Sequence, residues 1–476
     1  MPARPALRRH AALLLALLVP AIAAADAVDD YVRSVMEKEK IPGVSLVVLR
    51  DGKVVKSAGY GFANLEHEVP ATPGTIYQSG SVGKQFTAAG ILLLAQDGKL
   101  SLDDRLAKHF PGAPASWHRI TIRHLLTHTS GLKDYGSDEI DFRRDYTEDQ
   151  YLEIMQRLPL EFEPGTQWSY SNSGYLVLGL LTSRLAGKHW SEFLAERVFE
   201  PLGMKTARVI SERDIVMHRA AGYELEDGKV KNQEWVAPSA NTCADGALYF
   251  SVEDLAAWET ALHARKLLGP ASFEAWWTPV ALANGTTYPY GFGWSLGEQR
   301  GHPLIEHGGS WQGFRAAIAR YVEQGLTIAV LANLAQADPD VMAHEIAGLL
   351  EPPLRRPDPA RTRPDPDPAR TERLLGVLRA WADFRTVPDM ARGLAETASG
   401  SAREGYSRAR EGRRLEAMTG FRYLGEDDLA ERPLDMHGER VERIAYYALD
   451  TQDARHAYRF RLTGDGRVVS FDSEER

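Results

Sequence analysis

The sequence predicts a mixed α/β (α+β) protein, in which a sheet packs against helices and a small α+β domain follows. Three observations lead to this prediction. β-rich runs lie near both ends of the first 350 residues, a long apolar helix lies between them, and a proline-rich segment precedes a second β-rich region. The 476 residues are 44% hydrophobic and 25% charged. This composition is typical of a globular protein rather than a disordered or polytopic membrane protein.

The N-terminus has the pattern of a secretory signal peptide. Three arginines precede an apolar stretch at 11–22, which is too short to span a bilayer comfortably. Ala23 and Ala25 supply the small residues that signal peptidase requires, so we expect a signal peptide at 1–25 that is cleaved after Ala25 or Ala23. The protein is therefore expected to be exported, periplasmic or extracellular, without a stable membrane span after cleavage. An uncleaved N-terminal anchor is the alternative.

Residues 26–350 are predicted to form the first domain. The β-rich runs 44–50 and 54–61 are joined by Asp-Gly, which is the strongest short signal for a hairpin. Residues 81–98 form a long, largely apolar run that predicts a helix buried on most of its faces. Strand-like runs return between 291 and 333. We therefore expect the sheet to be built from both ends of this domain.

A proline-rich segment separates this domain from the end of the chain. Seven prolines fall between 352 and 368, and they prevent helix or sheet from continuing, so 351–372 is predicted to be a semi-rigid linker. Residues 373–476 are predicted to form a small α+β domain with an antiparallel sheet that folds independently. Apolar residues and arginines alternate at 458–462, which fits a sheet with one wet face.

Charge and cysteine content exclude several classes of function. Lys plus Arg number 56 against 65 Asp plus Glu, and the net charge of -9 gives no electrostatic basis for binding nucleic acid. The single cysteine, Cys243, can form neither an intramolecular disulfide nor a Cys-rich metal site. His124 and His128 lack the H-E-x-x-H context of a zinc site, so a structural role is favoured. No metal or organic cofactor is expected, and the oligomeric state stays open.

The strongest candidate chemistry lies at the start of the apolar helix. Ser81 is placed where a helix N-terminus concentrates unpaired N–H groups and partial positive charge. Lys84 follows three residues later, on the same face and within reach of the Ser81 hydroxyl. Burial disfavours the charged form of a lysine, so Lys84 can act as a base toward the serine. Because S-x-x-K alone is a weak signal, its context has to support it.

The segment Tyr170-Ser171-Asn172 supplies part of that context. A tyrosine hydroxyl flanked by cations can protonate the leaving group of an acyl-transfer reaction. A nearby carboxamide can hold the lysine or a substrate amide. Tyr170 and Asn172 are therefore predicted to have these two roles.

The run His307-Gly308-Gly309 supplies the rest. It is strand-like, and its glycines allow a substrate to approach the strand edge closely, with His307 facing the substrate. The backbone N–H groups of Ser81 and Ser310 are predicted to form the oxyanion hole.

These three motifs, in this order, resemble those of the penicillin-recognising serine hydrolases, which include class C β-lactamases, D,D-carboxypeptidases and family VIII esterases. Further segments are similar to the family at LLTHTSGL 125–132, YSNSGY 170–175, GALYFSVEDLAAW 246–258 and YGFGW 290–294. The resemblance covers roughly 28–350. It implies a β-lactamase/transpeptidase-like antiparallel sheet flanked by helices, a helical subdomain, and an acyl-enzyme formed on Ser81 in the cleft between them.

The sequence departs from the class C pattern at one position. Those enzymes usually carry Lys-Thr-Gly where this chain has His307-Gly308-Gly309, so the lysine that contacts a β-lactam carboxylate is replaced by a group only partly charged at neutral pH. This favours a carboxypeptidase, D-amino-acid-specific aminopeptidase or esterase over a true β-lactamase.

The resulting hypothesis is an exported serine hydrolase with Ser81 as nucleophile and Lys84 and Tyr170 as general base and acid. Its expected partner is a small-molecule or peptide substrate: an ester, a peptide or D-amino-acid amide, or a β-lactam. The alternative is a catalytically weak penicillin-recognising protein that serves as a binding or sensor protein of the cell envelope.

Overall fold

The structure is a computed structural model and describes residues 27–210, 214–398 and 404–475. The predicted signal peptide at 1–25 lies outside the described residues. No helix in the described part of the chain combines the length and the apolar character needed to cross a bilayer.

The helices account for much of the first 350 residues and for part of the C-terminal region. In chain order, the helices are α1 27–39, α2 Lys84–Gln96, α3 Ile122–Leu126, α4 Glu148–Arg157, α5 Asn172–Ala186, α6 Trp190–Leu194, α7 Glu200–Leu202, α8 Val252–His263, α9 Pro270–Trp276, α10 Pro339–Leu350, α11 Pro368–Ala382, α12 Arg392–Ala398 and α13 Glu404–Glu416.

The strands cluster at the two ends of the first region and again near the C-terminus. In chain order, the strands are β1 Gly43–Arg50, β2 Lys53–Asn64, β3 Val69–Pro70, β4 Tyr77–Gln78, β5 Tyr223–Glu226, β6 Lys229–Asn232, β7 Tyr249–Phe250, β8 Val280–Ala281, β9 Thr287–Tyr288, β10 Ser295–Gln299, β11 His302–Trp311, β12 Phe314–Tyr321, β13 Leu326–Ala332, β14 Gly420–Asp428, β15 Leu434–Met436, β16 Glu439–Val441, β17 Arg443–Asp450, β18 Arg455–Leu462 and β19 Val468–Glu475.

The main sheet has seven strands in the order β10-β11-β12-β13-β1-β2-β3. Strand β1 pairs antiparallel with β2 on one side and with β13 on the other, with Val47 opposite Ala329. The predicted hairpin and the predicted closure of the sheet from both ends of the region are thus observed. Because alternate residues of a strand face opposite sides, Val47 packs into one hydrophobic core and Val48 into another. The fold class predicted from the sequence, a large antiparallel sheet flanked by helices, is confirmed.

Helix α2 is the central helix of the larger core. Its residues from Lys84 to Leu94 are all buried, as the apolar run at 81–98 predicts. The first residues of that run form a 3₁₀ turn, Gly80–Gly83, and α2 begins only at Lys84. Helix α5 packs against α2, and its N-cap Ser171 accepts the Gly174 N–H with its side chain. These two helix starts bring the Ser81 and Tyr170 motifs onto neighbouring elements.

The described chain divides into two compact units. Unit 1 comprises the residues up to Thr278 together with Tyr290–Gly297 and Pro303–Arg355, and unit 2 comprises Pro279–Pro289, Glu298–His302 and the residues from Arg356 onward. The predicted division into 26–350, 351–372 and 373–476 assigns Pro279–Pro289 and Glu298–His302 to the first domain. In the structure these two short segments belong to unit 2. A fragment that begins after the predicted linker therefore lacks part of unit 2.

Unit 2 contains a four-stranded sheet in the order β14-β17-β18-β19. Helix α11 packs on it, with Leu374 and Leu378 in the same core as Tyr447 and Phe460. This helix begins at Pro368, inside the predicted linker, because proline is tolerated in the first turn, and Asp367 caps the helix. The sequence prediction missed β14, whose residues include several charged side chains.

The prediction of a wet sheet face at 458–462 is wrong. Arg461 is buried, and its guanidinium lies 2.7 Å from the Glu298 carboxylate and 2.5 Å from Asp472. Arg459 also pairs with Asp472, at 2.7 Å. Acidic partners satisfy these arginines inside the unit. Glu298 lies far away in sequence, so local alternation could not reveal it.

The pairing of Glu298 with Arg461 yields a test of unit 2. Replacing Glu298 by Gln removes a charge that is itself almost inaccessible, so we expect unit 2 to lose roughly 3 kcal/mol of stability. Faster hydrogen–deuterium exchange in β18 is the readout. Arg361→Gln, which breaks an exposed pair with Asp358, serves as the control and should change exchange little. Unaltered exchange in Glu298→Gln would contradict the assigned role.

Candidate active site

Ser81 lies in the 3₁₀ turn that leads into α2 and is half-buried. The preceding Gly80 has a φ of +50°, a left-handed conformation that favours glycine. The turn therefore presents Ser81 at the N-terminal end of a buried helix, which is where the sequence placed it.

The Lys84 side chain is completely buried, and its ammonium contacts three oxygens. The Nζ atom donates to Ser81 Oγ at 3.0 Å, to Asn172 Oδ1 at 2.8 Å and to the Asp245 carbonyl at 2.6 Å. It also lies 4.9 Å from the centre of the Tyr170 ring. Three acceptors match the three protons of an ammonium. Lys84 thus joins the Ser81 hydroxyl to two distant segments of the chain.

Tyr170 lies beside this lysine with its hydroxyl buried. Within the described part of the chain, Tyr170 Oη has no hydrogen-bond partner. The ring is positioned by packing, with its centre 4.2 Å from that of His128 and 6.2 Å from that of His307. A buried hydroxyl without a partner is costly unless a bound molecule satisfies it. Tyr170 is therefore available to exchange a proton with a substrate.

Asn172 is the first residue of α5, and both the oxygen and the nitrogen of its side-chain amide form hydrogen bonds. Its Oδ1 accepts from Lys84, and its Nδ2 donates to Asp134 Oδ2 at 3.1 Å. Asp134 also accepts the Ser173 N–H at 2.9 Å, which fixes the carboxylate at the start of α5. No motif in the sequence singles out Asp134. Its position two residues after the LLTHTSGL segment is the one available signal.

His128 packs against the Tyr170 ring. It is buried and has a φ of +58°, a conformation that is uncommon outside glycine. Its Nδ1 accepts the Ser171 N–H at 3.0 Å, so the ring proton is on Nε2 when the imidazole is neutral. His124 Nδ1 likewise accepts a backbone N–H, that of Thr121, at 3.2 Å. Each of these imidazoles is thus part of the local hydrogen bonding.

Strand β11 approaches the Ser81 turn closely at Gly309. A Cβ on Gly309 would overlap the Ser79 carbonyl and lie 3.1 Å from the Ser81 nitrogen. A Cβ on Gly80 would in turn meet the Ser310 nitrogen. Glycine at both positions therefore allows the Ser81 and Ser310 backbones to come together. This is the arrangement that the predicted oxyanion hole requires.

Gly308 and the Ser310 side chain do not join Ser81. A Cβ on Gly308 would meet the Asp340 carboxylate, on the opposite face of the strand from Gly309. The Ser310 side chain is exposed, so only its backbone N–H is available to the predicted site.

His307 is buried behind Tyr290. Its Nε2 lies 2.9 Å from Tyr290 Oη, and its Nδ1 lies 2.6 Å from the Gly308 carbonyl. Burial lowers the pKa of His307 to about 4, and the nearby positive charge of Lys84 adds to this effect. The imidazole is therefore neutral at pH 7, with the proton on Nδ1 and Tyr290 donating to Nε2. The sequence predicts that His307 is partly charged at neutral pH, whereas in the structure it is uncharged.

Together these groups can carry out nucleophilic acyl transfer. The geometry suits Ser81 to its predicted role as nucleophile, Lys84 to removing the Ser81 proton, and the Tyr170 hydroxyl to protonating a leaving group. Asn172 fixes the lysine, and the backbones of Ser81 and Ser310 can stabilise an oxyanion.

Comparison with known proteins is consistent with this chemistry. A family model described as Beta-lactamase matches residues 28–352. The chain is 30% identical over 321 residues to Penicillin-binding protein 4* of Bacillus subtilis (strain 168), a match that covers 62% of this chain and 69% of that protein. It is 30% identical over 325 residues to a D-aminopeptidase of Brucella anthropi, which covers 66% of this chain and 60% of that enzyme.

A solved structure extends the likeness along the chain. The octameric penicillin-binding protein homologue from Pyrococcus abyssi matches with a TM-score of 0.62 and 22% identity, covering 95% of this chain and 96% of that one. At this identity the match shows the fold alone. The matched region spans little more than two thirds of the Bacillus relative and less than two thirds of the Brucella enzyme.

The burial of His307 yields a prediction of how stability depends on pH. Below pH 6.5 the unfolded chain protonates this imidazole, whereas the folded protein keeps it neutral down to about pH 4. The free energy of unfolding should therefore fall as the pH falls through this range, by roughly 2 to 3 kcal/mol at its lower end. Urea denaturation at several pH values measures this loss.

The slope should flatten in His307→Gln, because glutamine does not titrate. His67→Gln, which alters an exposed histidine, should keep the wild-type slope. The same slope in the wild type and in His307→Gln would show that His307 is not the group responsible.

Proposed function

The chain belongs to the β-lactamase family, and from this premise we propose that it is an exported serine hydrolase that acts through an acyl-enzyme on Ser81. The observation that carries the proposal is the bonding of Lys84, which links the Ser81 hydroxyl to Asn172 and to the Asp245 carbonyl. A buried lysine bonded to a serine at a helix N-terminus is suited to acyl transfer.

Acylation begins with proton removal from Ser81. Lys84, once it has released one of its three protons to solvent, takes this proton across the 3.0 Å contact, and Oγ forms a bond to the substrate carbonyl carbon. The Ser81 and Ser310 N–H groups stabilise the resulting oxyanion. Tyr170 then protonates the leaving group as its bond to carbon breaks, and the proton on Lys84 restores the Tyr170 hydroxyl. The products are the released alcohol or amine and an ester on Ser81.

Deacylation repeats these steps with water. The Tyr170 hydroxyl takes a proton from the water molecule and passes its own proton to Lys84, so that one proton is transferred in total, and the water oxygen bonds to the acyl carbon. The bond from carbon to Ser81 Oγ breaks, and Oγ receives a proton from Lys84. The carboxylic acid leaves, and the enzyme returns to its starting state without a metal or an organic cofactor.

The neutral His307 bears on the class of substrate. Since the imidazole is uncharged at pH 7, it provides no counter-ion for the carboxylate of a β-lactam. Esters and peptide or D-amino-acid amides are therefore favoured over β-lactams, and a carboxypeptidase, aminopeptidase or esterase is favoured over a β-lactamase. The name of the Brucella relative, a D-aminopeptidase, agrees with an amide substrate.

Intact-mass spectrometry tests the acyl-enzyme. Incubation with a simple p-nitrophenyl acyl ester should add one acyl group to the wild-type protein, and the ester should be consumed. Ser81→Ala should show no adduct and lose at least about 1,000-fold in rate. Ser137→Ala, which alters an exposed serine nearby, is the matched control.

The same measurement with a penicillin separates the candidates. A slow Ser81 adduct, or none, is expected because His307 is uncharged at pH 7 and so provides no cation for the penicillin carboxylate. Rapid release of opened drug would favour a β-lactamase. A stable penicillin adduct without turnover of any ester would instead favour the binding or sensor protein.

The proposed export has a direct test. Protein recovered from the periplasm or the medium should begin at Asp26 if cleavage follows Ala25, or at Ala24 if cleavage follows Ala23. N-terminal sequencing after cell fractionation measures this. Recovery of the full-length chain from the cytoplasm alone would contradict export.

A further inference from the structure

Asp245 lies directly beside the reacting groups. Its carbonyl accepts from Lys84 Nζ at 2.6 Å, and the same Nζ contacts the Ser81 hydroxyl at 3.0 Å. Lys84 is completely buried, whereas Asp245 is half-buried. Asp245 therefore contacts the buried lysine while remaining partly accessible to solvent.

A tyrosine holds the Asp245 carboxylate in place. Tyr135 Oη donates to Asp245 Oδ2 at 2.5 Å. Burial raises the pKa of Tyr135 well above its ordinary value, and the negative charge of Asp245 adds to the effect, so the phenol keeps its proton and remains a donor. The Tyr135 backbone N–H donates to Ser173 Oγ at 2.8 Å. The pair is thus anchored to the start of α5, next to Asn172.

One oxygen of the Asp245 carboxylate remains free. Within the described residues, the hydrogen bond to the Asp245 carboxylate comes from Tyr135 and is made at Oδ2, which leaves Oδ1 without a side-chain donor. By contrast, the Asp134 carboxylate accepts from Asn172 and Ser173. Asp245 therefore keeps an oxygen that can accept a hydrogen bond from a ligand.

The other charged groups near Ser81 are already satisfied or neutral. Lys84 uses its three protons on protein oxygens, and burial keeps His307 uncharged at pH 7. A carboxylate on the substrate finds no free cation among these groups, but an ammonium finds Asp245. The charges beside Ser81 therefore favour a cationic acyl group over an anionic one.

An aromatic contact series places Asp245 relative to β11. The Tyr135 ring centre lies 6.3 Å from that of Phe142, which lies 5.7 Å from that of Trp311 at the end of β11. The Asp245–Tyr135 pair thus lies between Lys84 and the part of β11 that follows Ser310. The Asp245 contact to Lys84 and the approach of Ser310 to the Ser81 turn therefore lie at the two ends of this series.

We propose that the Asp245 carboxylate, oriented by Tyr135, binds an ammonium group on the acyl side of the substrate. The hydrolase then acts on amino-acid esters, amino-acid amides or short peptides that have a free amino terminus. The inference rests on the proposed Ser81 acyl-enzyme and goes beyond it by naming a residue that determines specificity. A hydrogen bond between an ammonium and a carboxylate is short and strong, and it selects for charge.

Three matched substrates test the inference. The probes are the p-nitrophenyl esters of alanine, N-acetylalanine and N-succinylalanine, as D and L forms, with the spontaneous rate subtracted. Their acyl groups are cationic, neutral and anionic, respectively. For the wild type, kcat/KM should be at least about 10-fold higher for the ammonium ester than for the acetylated ester, and lowest for the succinylated ester.

The variants are compared by the ratio of kcat/KM for the ammonium ester to that for the acetylated ester. Asp245→Asn should lower this ratio at least about 10-fold, because the amide carries no charge. Tyr135→Phe leaves the carboxylate in place but removes its hydrogen bond, and it should lower the ratio less. Asp138→Asn removes one negative charge from an exposed residue nearby and should keep the ratio within about 2-fold of the wild type.

The outcomes separate this inference from the proposed function. If Ser81 is acylated but the wild type does not prefer the ammonium ester, or if Asp245→Asn keeps the wild-type ratio, the inference is overturned and the acyl-enzyme stands. If none of the three esters acylates Ser81, the proposed function itself fails. Should Asp245→Asn not fold, an unchanged ratio in Tyr135→Phe overturns the orienting role.

Discussion

A buried ammonium is the interaction on which the rest of the site depends. Lys84 is removed from water completely, and an ammonium in that position is stable only when its protons have partners. Its three acceptors come from the Ser81 turn, from the start of α5 and from the segment before β7. Misplacement of any one segment leaves a buried charge without a partner. The requirement to satisfy this lysine thus couples the correct fold to the correct active-site geometry.

Aromatic packing supplies the second constraint. Tyr290 contacts His307 through its hydroxyl at 2.9 Å, and its ring centre lies 4.8 Å from that of His128. His128 in turn packs under Tyr170. The rings of this group hold the Tyr170 phenol beside Lys84 without forming a hydrogen bond to its hydroxyl. Packing therefore positions the Tyr170 ring, while the Tyr170 hydroxyl remains available for proton transfer.

Much of the fold and the main candidate residues could be predicted from the sequence because their signals are local. Asp-Gly between two β-rich runs specifies a hairpin, a long apolar run specifies a buried helix, and S-x-x-K spacing places two side chains on one helix face. The resemblance to penicillin-recognising hydrolases is confirmed by the family match.

The residues that sequence reasoning missed depend on contacts between distant segments. Asp134 acquires its role from Asn172, and Arg461 is buried because Glu298 reaches it from much earlier in the chain. A local pattern carries no information about such partners. For the same reason, alternation at 458–462 gave the wrong environment for the arginines of β18.

The pairing of β1 with β13 has a consequence for how the protein is made. Arg50 lies opposite Leu326 in the finished sheet, so the N-terminal hairpin leaves the ribosome long before its partner exists. At about 5 to 20 residues per second, the wait is on the order of tens of seconds. During that time an apolar strand edge is open to pairing with other chains. The edge of β1 that β13 covers in the finished sheet therefore has no partner while the intervening residues are being synthesised.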